Sequence, residues 1–255
     1  MVKFLMSEII NNLKLIAMKL KENVNVFNQD VKEGQTYKYT AEGISKEFSN
    51  SRTTKEIKDL TDWNGKTVLD MGCGDGTFTY TLLENGAASV LGLDPASVAI
   101  ETAKLNSNGI SNLTFDVGDI YALDKLGKKF DTIVLRGVLH HVPDAAAAVK
   151  MAATVADEII IMEPNGLNPI LKIIEKVSPY HRLHEEQSFF PSTIRKWCSD
   201  AGFITTKCNI INLVPLFCPD GLAKALKSME PYVEKIPFFR NFACGQVLIR
   251  AAKKR

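Results

Sequence analysis

The sequence lacks the features that mark disulfide-rich, zinc-binding and membrane-spanning proteins. Its five cysteines are odd in number and include no CxxC pair, so neither a disulfide framework nor a structural zinc site is predicted. No apolar run approaches the roughly 20 residues that a membrane span needs. Polar residues from Glu8 to Lys14 interrupt the amino-terminal apolar stretch, unlike in a signal peptide. These absences predict reduced thiols and a cytoplasmic location.

The sequence also lacks an excess of charge of either sign. Its 31 Lys and Arg residues nearly balance 29 Asp and Glu residues, for a net charge of +2. Affinity for nucleic-acid phosphates needs a clustered basic surface, so we predict no nucleic-acid partner. Apolar residues make up 45% of the 255 positions and charged residues 24%, which is typical of a globular protein and excludes disordered or fibrous classes.

Short apolar runs alternate with helical segments from residue 66 onward. This alternation is typical of β-α-β units and predicts a mainly parallel sheet with helices on both faces. Further strands are expected after residue 203 and at the carboxyl end of the chain. The clearest predicted strands are 67–71, 89–93, 113–117, 130–135, 158–162, 204–213 and 246–250.

The region before this alternation differs in character. Residues 3–22 carry apolar side chains at helical spacing, with lysines off the apolar stripe. Such a helix can pack on its own domain or a partner chain, lie on a membrane surface or cap a substrate. We predict a helical cap over residues 1–62, followed by one α/β domain over 63–255. Within the cap, one short helical stretch is expected just after Tyr39 and another short helix near 53–60.

The most informative motif is Asp70-Met71-Gly72-Cys73-Gly74-Asp75-Gly76, which leads from a buried strand into a helix. Its glycines allow a tight turn and close approach of a ligand to the backbone, and the helix start offers N–H groups. The spacing is not the G-x-G-x-x-G of dinucleotide-binding folds, because Thr77 stands at the third glycine position. A carboxylate at Asp70 favours a ligand that carries positive charge.

This motif resembles motif I of the S-adenosylmethionine-dependent methyltransferases with a seven-stranded Rossmann-like (class I) fold, and the resemblance extends over roughly residues 66–165. It implies a three-layer sandwich whose seven-stranded sheet is mainly parallel with an antiparallel last strand. It also implies S-adenosylmethionine as cofactor and S-adenosylhomocysteine as product. The implied cofactor-binding residues are Asp70, Gly72, Cys73, Gly74, Gly76, Asp94, Pro95, Asp119, Ile120 and Arg136.

The resemblance also implies a role for several of these residues. Asp94 would accept hydrogen bonds from both ribose hydroxyls. Asp119 would accept one from the adenine amino group, and Ile120 would lie against the ring. The backbone carbonyl near Arg136 would accept from the amino group of the cofactor, whose carboxylate would meet the N–H groups of the glycine loop.

Two histidines after the fourth strand are the candidate catalytic residues. A general base is needed only if the acceptor must lose a proton, as a hydroxyl does. His141 is the first candidate and His140 the second, because histidine titrates near neutral pH; alternatively, both rings only pack beside the cofactor. This loop lacks the [DNS]-P-P-[YF] sequence of enzymes that methylate nucleobase amines or glutamine amides. Arg136 stands where metal-dependent relatives carry an aspartate, so no catalytic metal is predicted.

The acceptor site is expected outside the cofactor half, in acceptor-side insertions at residues 165–190 and 214–240. Apolar side chains there indicate a covered cavity for a small hydrophobic or lipid-like acceptor, although packing against the core explains them equally well. The candidate acceptor contacts are Tyr37, Tyr39, Glu163, Asn165 and His184. The apolar residues are Ile170, Ile173, Leu216, Phe217, Phe238 and Phe239.

These expectations combine into a methyltransferase that acts on a small-molecule or lipid-like acceptor by in-line displacement. The alternatives are a non-catalytic cofactor-binding or regulatory protein of the same fold, or another transferase or oxidoreductase on a Rossmann-like fold. Residues 3–22 leave peripheral membrane contact possible. The sequence does not indicate the oligomeric state or the methylated atom.

Overall fold

The computed structural model describes residues 43–107, 109–177 and 187–254. Two short 3₁₀ helices, Ile120–Leu126 and Leu139–His141, flank the fourth strand. In chain order the helices and strands are α1 (Ile44–Leu60), β1 (Thr67–Met71), α2 (Thr77–Glu84), β2 (Ser89–Asp94), α3 (Ser97–Asn106), β3 (Leu113–Val117), β4 (Phe130–Arg136), α4 (Ala145–Val155), β5 (Ala156–Pro164), α5 (Pro169–Val177), α6 (Pro191–Asp200), β6 (Phe203–Ile211), α7 (Asp220–Val233), α8 (Pro237–Ala243) and β7 (Gln246–Lys253).

The seven strands form one sheet in the order β3-β2-β1-β4-β5-β7-β6. Strand β7 is antiparallel to both of its neighbours, β5 and β6, whereas the other neighbouring pairs are parallel. The predicted fold is therefore confirmed. The chain order reverses between β1 and β4, and ligands of open α/β sheets bind at such a point, beyond the carboxyl ends of the strands.

Each face of the sheet is covered by helices. Val68, Val134 and Ile160 point into an apolar cluster that includes residues of α1, α2 and α3. Their strand neighbours, such as Leu69 and Ile133, point into a second cluster with α4 and α6. Because successive strand residues are buried on opposite faces, these strands read as continuous apolar runs in the sequence.

Helix α1 is longer than the helix predicted near residues 53–60. Its buried face carries Ser45, Ser49 and Thr53 before the first apolar residue, Ile57. A polar buried face produces little hydrophobic periodicity, which is why the sequence pattern predicts two short helical stretches and not one helix of 17 residues. Thr53 Oγ1 lies 2.6 Å from Gln246 Oε1 at the start of β7, so the buried hydroxyl has a partner. The described part of the predicted cap therefore packs on the sheet, and the boundary at residue 62 stays a prediction.

Candidate active site

The structure brings the predicted cofactor residues together at the carboxyl edge of the sheet. Asp70 lies near the end of β1, and Asp94 ends β2. Asp119 follows β3, and Arg136 ends β4. These four strands are neighbours in the order β3-β2-β1-β4, so the four residues lie along one edge of the sheet, which also holds the glycine-rich loop after β1.

The glycine-rich loop is held by hydrogen bonds to the end of β2. The Leu93 carbonyl accepts from the N–H groups of Gly72 and Cys73, with N···O distances of 2.7 and 3.1 Å. Asp94 Oδ2 accepts from the Gly74 N–H at 2.9 Å. The prediction that the loop's N–H groups meet the cofactor carboxylate is therefore wrong for these three groups, because they already donate to protein acceptors. The Cys73 side chain is buried, and its pKa is raised by burial.

Among the predicted cofactor-binding residues, Asp70 has the surroundings that best suit a cationic ligand. Its side chain is 1% exposed, and the Thr79 hydroxyl donates to Oδ2 at 2.6 Å. Its second oxygen, Oδ1, is buried without a hydrogen-bond partner in the part of the chain that the structure describes. Burial raises the pKa of Asp70 to about 6, while the Thr79 hydrogen bond and the charge of Arg136 lower it. A buried carboxylate with an unmet oxygen fits the ammonium group of S-adenosylmethionine.

The side chain of Arg136 has a role that the sequence did not indicate. Its guanidinium carbon lies 4.5 Å from the centre of the Phe78 ring, and Nη2 lies 3.3 Å from Asn50 Oδ1. These contacts connect the end of β4 to α1 and α2, across 86 residues in the case of Asn50. A contact between residues so far apart in the chain produces no local spacing pattern in the sequence. The predicted role of the Arg136 backbone carbonyl stays a prediction.

Asp94 and Asp119 both use side-chain oxygens to shape the edge of the site. Asp94 Oδ1 accepts from the Ala96 N–H at 2.8 Å, in addition to the bond from the loop. Burial raises the pKa of Asp94, against the two backbone N–H groups that lower it. Asp119 Oδ1 accepts from the Tyr121 N–H at 2.9 Å. Because a carboxylate oxygen accepts more than one hydrogen bond, the ribose and adenine roles stay predictions.

Ile120 and Pro95 flank these two carboxylates. Ile120 is 2% exposed and packs in the apolar core. The predicted contact of Ile120 with the adenine ring stays a prediction. Pro95 is half-buried between Asp94 and α3, and its cofactor contact stays a prediction.

The loop after β4 is held by a buried glutamate at the end of β5. Glu163 Oε1 accepts from the N–H groups of Val138 and Leu139 at 3.0 and 2.7 Å. Its other oxygen, Oε2, lies 2.6 Å from Nδ1 of His140. The His140 ring is 8% exposed and lies with its centre 3.9 Å from that of the half-buried His141 ring.

Burial of both side chains contradicts the acceptor contacts that were predicted at the end of β5. Glu163 and Asn165 are both 0% exposed, so neither side chain offers a surface to an acceptor. Asn165 Nδ2 donates to the carbonyls of Asn241 and Cys244 at 2.8 and 2.9 Å, which connects β5 to the end of α8. The other three candidate contacts lie outside the described residues: Tyr37, Tyr39 and His184.

A family model described as a methyltransferase domain matches residues 62–214 of this chain. The chain belongs to this family. The resemblance to class I S-adenosylmethionine-dependent methyltransferases is thereby confirmed, with S-adenosylmethionine as the cofactor of the domain. The alternative of an oxidoreductase on a Rossmann-like fold is not supported by this match.

The relatives of this methyltransferase domain carry different names. A ubiquinone biosynthesis O-methyltransferase of Neisseria meningitidis serogroup C is 28% identical over 159 residues, covering 55% of this chain and 65% of that protein. The match thus spans less than two thirds of that relative. A tRNA U34 carboxymethyltransferase of Campylobacter fetus subsp. fetus is 26% identical over 219 residues, covering 78% of this chain and 77% of that protein.

The solved structures show the same fold. Magnesium protoporphyrin IX methyltransferase from Synechocystis PCC 6803, crystallised with bound S-adenosylhomocysteine, has a TM-score of 0.64 at 20% identity. That comparison covers 90% of this chain and 97% of the cyanobacterial chain. At this level of identity the comparison shows the shared fold and does not indicate the acceptor.

The acceptor-side insertions of the methyltransferase emerge at the edge that holds the cofactor residues, because β5 and β6 end there and β7 begins there. They do not form the predicted covered cavity within the described residues. Leu216 is half-buried, while the other apolar residues are more than half exposed: Ile170, Ile173, Phe217, Phe238 and Phe239. The described residues therefore present an open apolar surface at this edge.

Two further properties bear on the predictions for metals and membranes. Among the described residues, no group of three or more His, Cys, Asp or Glu side chains could hold a metal ion. Within the same residues, none of the helices has the length and apolar character to cross a membrane. The prediction that catalysis uses no metal stays a prediction.

Gly72 provides a direct test of how the loop after β1 packs. Its φ is +81°, and a Cβ atom at this position would lie 2.5 Å from Val138 Cγ2. We expect Gly72→Ala to lower the free energy of unfolding by about 2–4 kcal/mol, since it combines backbone strain with a steric clash. Urea unfolding measures this. Gly202→Ala is the matched control, because Gly202 has φ +87° and nothing within 4 Å of its Cβ position. Equal losses in the two variants would contradict the packing argument.

Proposed function

We propose that this methyltransferase transfers a methyl group from S-adenosylmethionine to a small-molecule or lipid-like acceptor by in-line displacement. The observation that carries the cofactor half is the buried Asp70 carboxylate, whose Oδ1 has no hydrogen-bond partner among the described residues. The acceptor half is supported by the apolar side chains that α5 and α8 expose at the same edge. A cytoplasmic location belongs to the same proposal.

The residues around the crevice suit the groups of this cofactor. Asp70, which accepts a hydrogen bond from the Thr79 hydroxyl, would bind the ammonium group. Asp94 would accept from the ribose hydroxyls and Asp119 from the adenine amino group. When bound, S-adenosylmethionine supplies an electrophilic methyl group on a positively charged sulfur. The protein's main task is then to hold the acceptor atom in line with that group at short range.

The relatives support two acceptor classes to different degrees. The match to an O-methyltransferase of ubiquinone biosynthesis favours a small apolar acceptor, in agreement with the exposed apolar surface. The match to a tRNA U34 carboxymethyltransferase covers more of the chain and makes an RNA acceptor the second candidate. The net charge of +2 gives RNA no additional support.

A pair of binding and transfer measurements tests this proposal. Titration calorimetry is expected to detect S-adenosylmethionine and S-adenosylhomocysteine, and no binding of NADH. With methyl-labelled S-adenosylmethionine, label is expected in a lipid and small-molecule extract and not in bulk tRNA. Label in tRNA alone would favour the second candidate. Cofactor binding without transfer to any fraction would favour a non-catalytic protein.

A further inference from the structure

We propose that exposed apolar side chains of α5 and α8 dock this methyltransferase on the surface of a membrane that contains anionic lipid. The inference goes beyond the proposed function, because a protein can dock on a membrane whatever molecule it methylates. It also differs from the expectation drawn from the sequence, which places peripheral membrane contact in residues 3–22. The docking surface comprises Ile170, Ile173, Val177, Phe238, Phe239 and Phe242.

Helices α5 and α8 differ from the other helices in what they bury. Each of the other α-helices in the described part of the chain has buried residues, whereas α5 and α8 have none. The six side chains of the docking surface are 44% to 67% exposed. The three on α5 follow helical spacing along one face, and on α8 the Phe238 ring lies 5.7 and 5.2 Å from the rings of Phe239 and Phe242. Exposed apolar side chains that are grouped in this way indicate an interaction surface.

Two buried asparagines hold these helices next to each other. Asn165 bonds carbonyls at the end of α8, and Asn168 Nδ2 donates to the Ala243 carbonyl at 3.1 Å. Asn168 Oδ1 accepts from the Ile170 N–H at the start of α5, at 2.9 Å. The start of α5 is therefore fixed against the end of α8. Both helices emerge at the edge of the sheet that holds the cofactor residues, where β5 ends and β7 begins.

The charges on the two helices favour one class of partner. The helices carry three cations, Lys172, Lys176 and Arg240, and one anion, Glu175, which lies 3.1 Å from Lys172. Basic side chains beside an apolar face are typical of helices that lie in the interface of an anionic membrane. With nine and seven residues, both helices are too short to span a bilayer, so they would lie along its surface.

The same charges disfavour two protein occupants of the docking surface. A second copy of the chain that is bound symmetrically would bring equal positive charges together. Residues 3–22 of the same chain carry four lysines and two glutamates, so they too have a charge of the same sign. An anionic lipid surface complements this charge and also buries the apolar side chains.

Docking at this edge has a consequence for the acceptor. Asp70, Asp94 and Asp119 lie at or near strand ends along the same edge of the sheet. A lipid-like acceptor that leaves the bilayer there would reach the cofactor without crossing bulk water. This consequence rests on the proposed function, whereas the docking itself does not.

Sedimentation of the full chain with lipid vesicles tests the docking. We expect the wild type to bind vesicles of phosphatidylcholine mixed with phosphatidylglycerol. Vesicles of phosphatidylcholine alone should bind roughly 10- to 30-fold more weakly, because the excess positive charge then has no anionic partner. Binding to the mixed vesicles should also weaken as the salt concentration rises. Equal binding to both vesicle types, or binding to neither, would overturn the proposal.

A double variant tests the apolar part of the docking surface. Phe238→Ser combined with Phe239→Ser is expected to weaken vesicle binding by roughly 10- to 100-fold, because neither ring then enters the bilayer. Leu105→Ser is the matched control, since Leu105 is 79% exposed on α3 and lies outside the docking surface. The urea midpoints of both variants should match that of the wild type, because these side chains are exposed. Equal vesicle binding by the double variant and the control would overturn the proposal.

A charge reversal provides a second variant. Lys176→Glu is expected to weaken binding to the mixed vesicles by roughly 10-fold and to leave binding to phosphatidylcholine vesicles unchanged. Lys104→Glu, at an exposed position on α3, is the control and should bind like the wild type. Equal losses in the two variants would contradict the charge argument.

The remaining outcomes identify a different occupant or separate the two proposals. Vesicle binding that persists in the double variant but is lost when Ile9→Ser is combined with Ile16→Ser would place the membrane contact in residues 3–22. A dimer that dissociates in the double variant, without vesicle binding by the wild type, would identify a second copy of the chain. Methyl transfer to the extract without vesicle binding would refute the docking alone. Vesicle binding without transfer to any fraction would refute the proposed function alone.

Discussion

Asp94→Ala is expected to weaken the binding of S-adenosylhomocysteine by about 10- to 150-fold, equivalent to roughly 1.5–3 kcal/mol. Two losses combine in this variant. The Gly74 and Ala96 N–H groups lose the acceptor that holds the glycine loop, and the ribose hydroxyls lose their proposed partner. Because Asp94 is 8% exposed, water replaces these bonds poorly.

Titration calorimetry measures the effect of Asp94→Ala, and Asp116→Ala is the matched control. Asp116 lies on the adjacent strand β3, is exposed, and is removed with the same change of charge. Its loss should leave the affinity within about twofold, since exposed charges contribute little. An unchanged affinity in Asp94→Ala, or equal effects of the two substitutions, would remove Asp94 from the cofactor site.

Asp70→Asn is expected to stabilise the ligand-free protein while weakening cofactor binding. Burial raises the pKa of Asp70 from 3.8 to about 6, so between about pH 4 and 6 the folded chain binds more protons at this site than the unfolded chain. Its contribution to the free energy of unfolding therefore falls as pH rises through this window. Asparagine removes the buried charge, and we expect a gain of about 1–3 kcal/mol at neutral pH.

Urea unfolding at pH values on both sides of this window measures the stability effect of Asp70→Asn. Cofactor affinity is expected to fall by roughly 10- to 100-fold, because the ammonium group loses its anionic partner. In the wild type, affinity should rise with pH through about 6, as Asp70 ionises. Asp116→Asn serves again as the exposed control. Destabilisation at neutral pH, or a cofactor affinity that is the same in both variants, would contradict this role for Asp70.

The parts of this protein that local patterns determine were predictable. Strands buried on both faces read as apolar runs, so β1 (Thr67–Met71) and β3 (Leu113–Val117) have the predicted bounds. Asp70, Asp94 and Asp119 each stand at or next to the end of a strand, and parallel strands bring such ends together. Fold, family and cofactor followed from this spacing, because neighbouring residues and short repeats carry the information.

Tertiary structure alone decided the partners of the polar groups. The sequence does not show that Glu163 bonds His140 rather than an acceptor, since 23 residues separate them. Nor does it show that Leu93 and Asp94 engage the N–H groups of the glycine loop, or that α1 buries Ser49 and Thr53. A buried polar side chain takes whichever partner the packed elements bring within about 3 Å, and that depends on the whole sheet. Local sequence thus determined the cofactor edge, and long-range packing determined which of its groups remain for ligands.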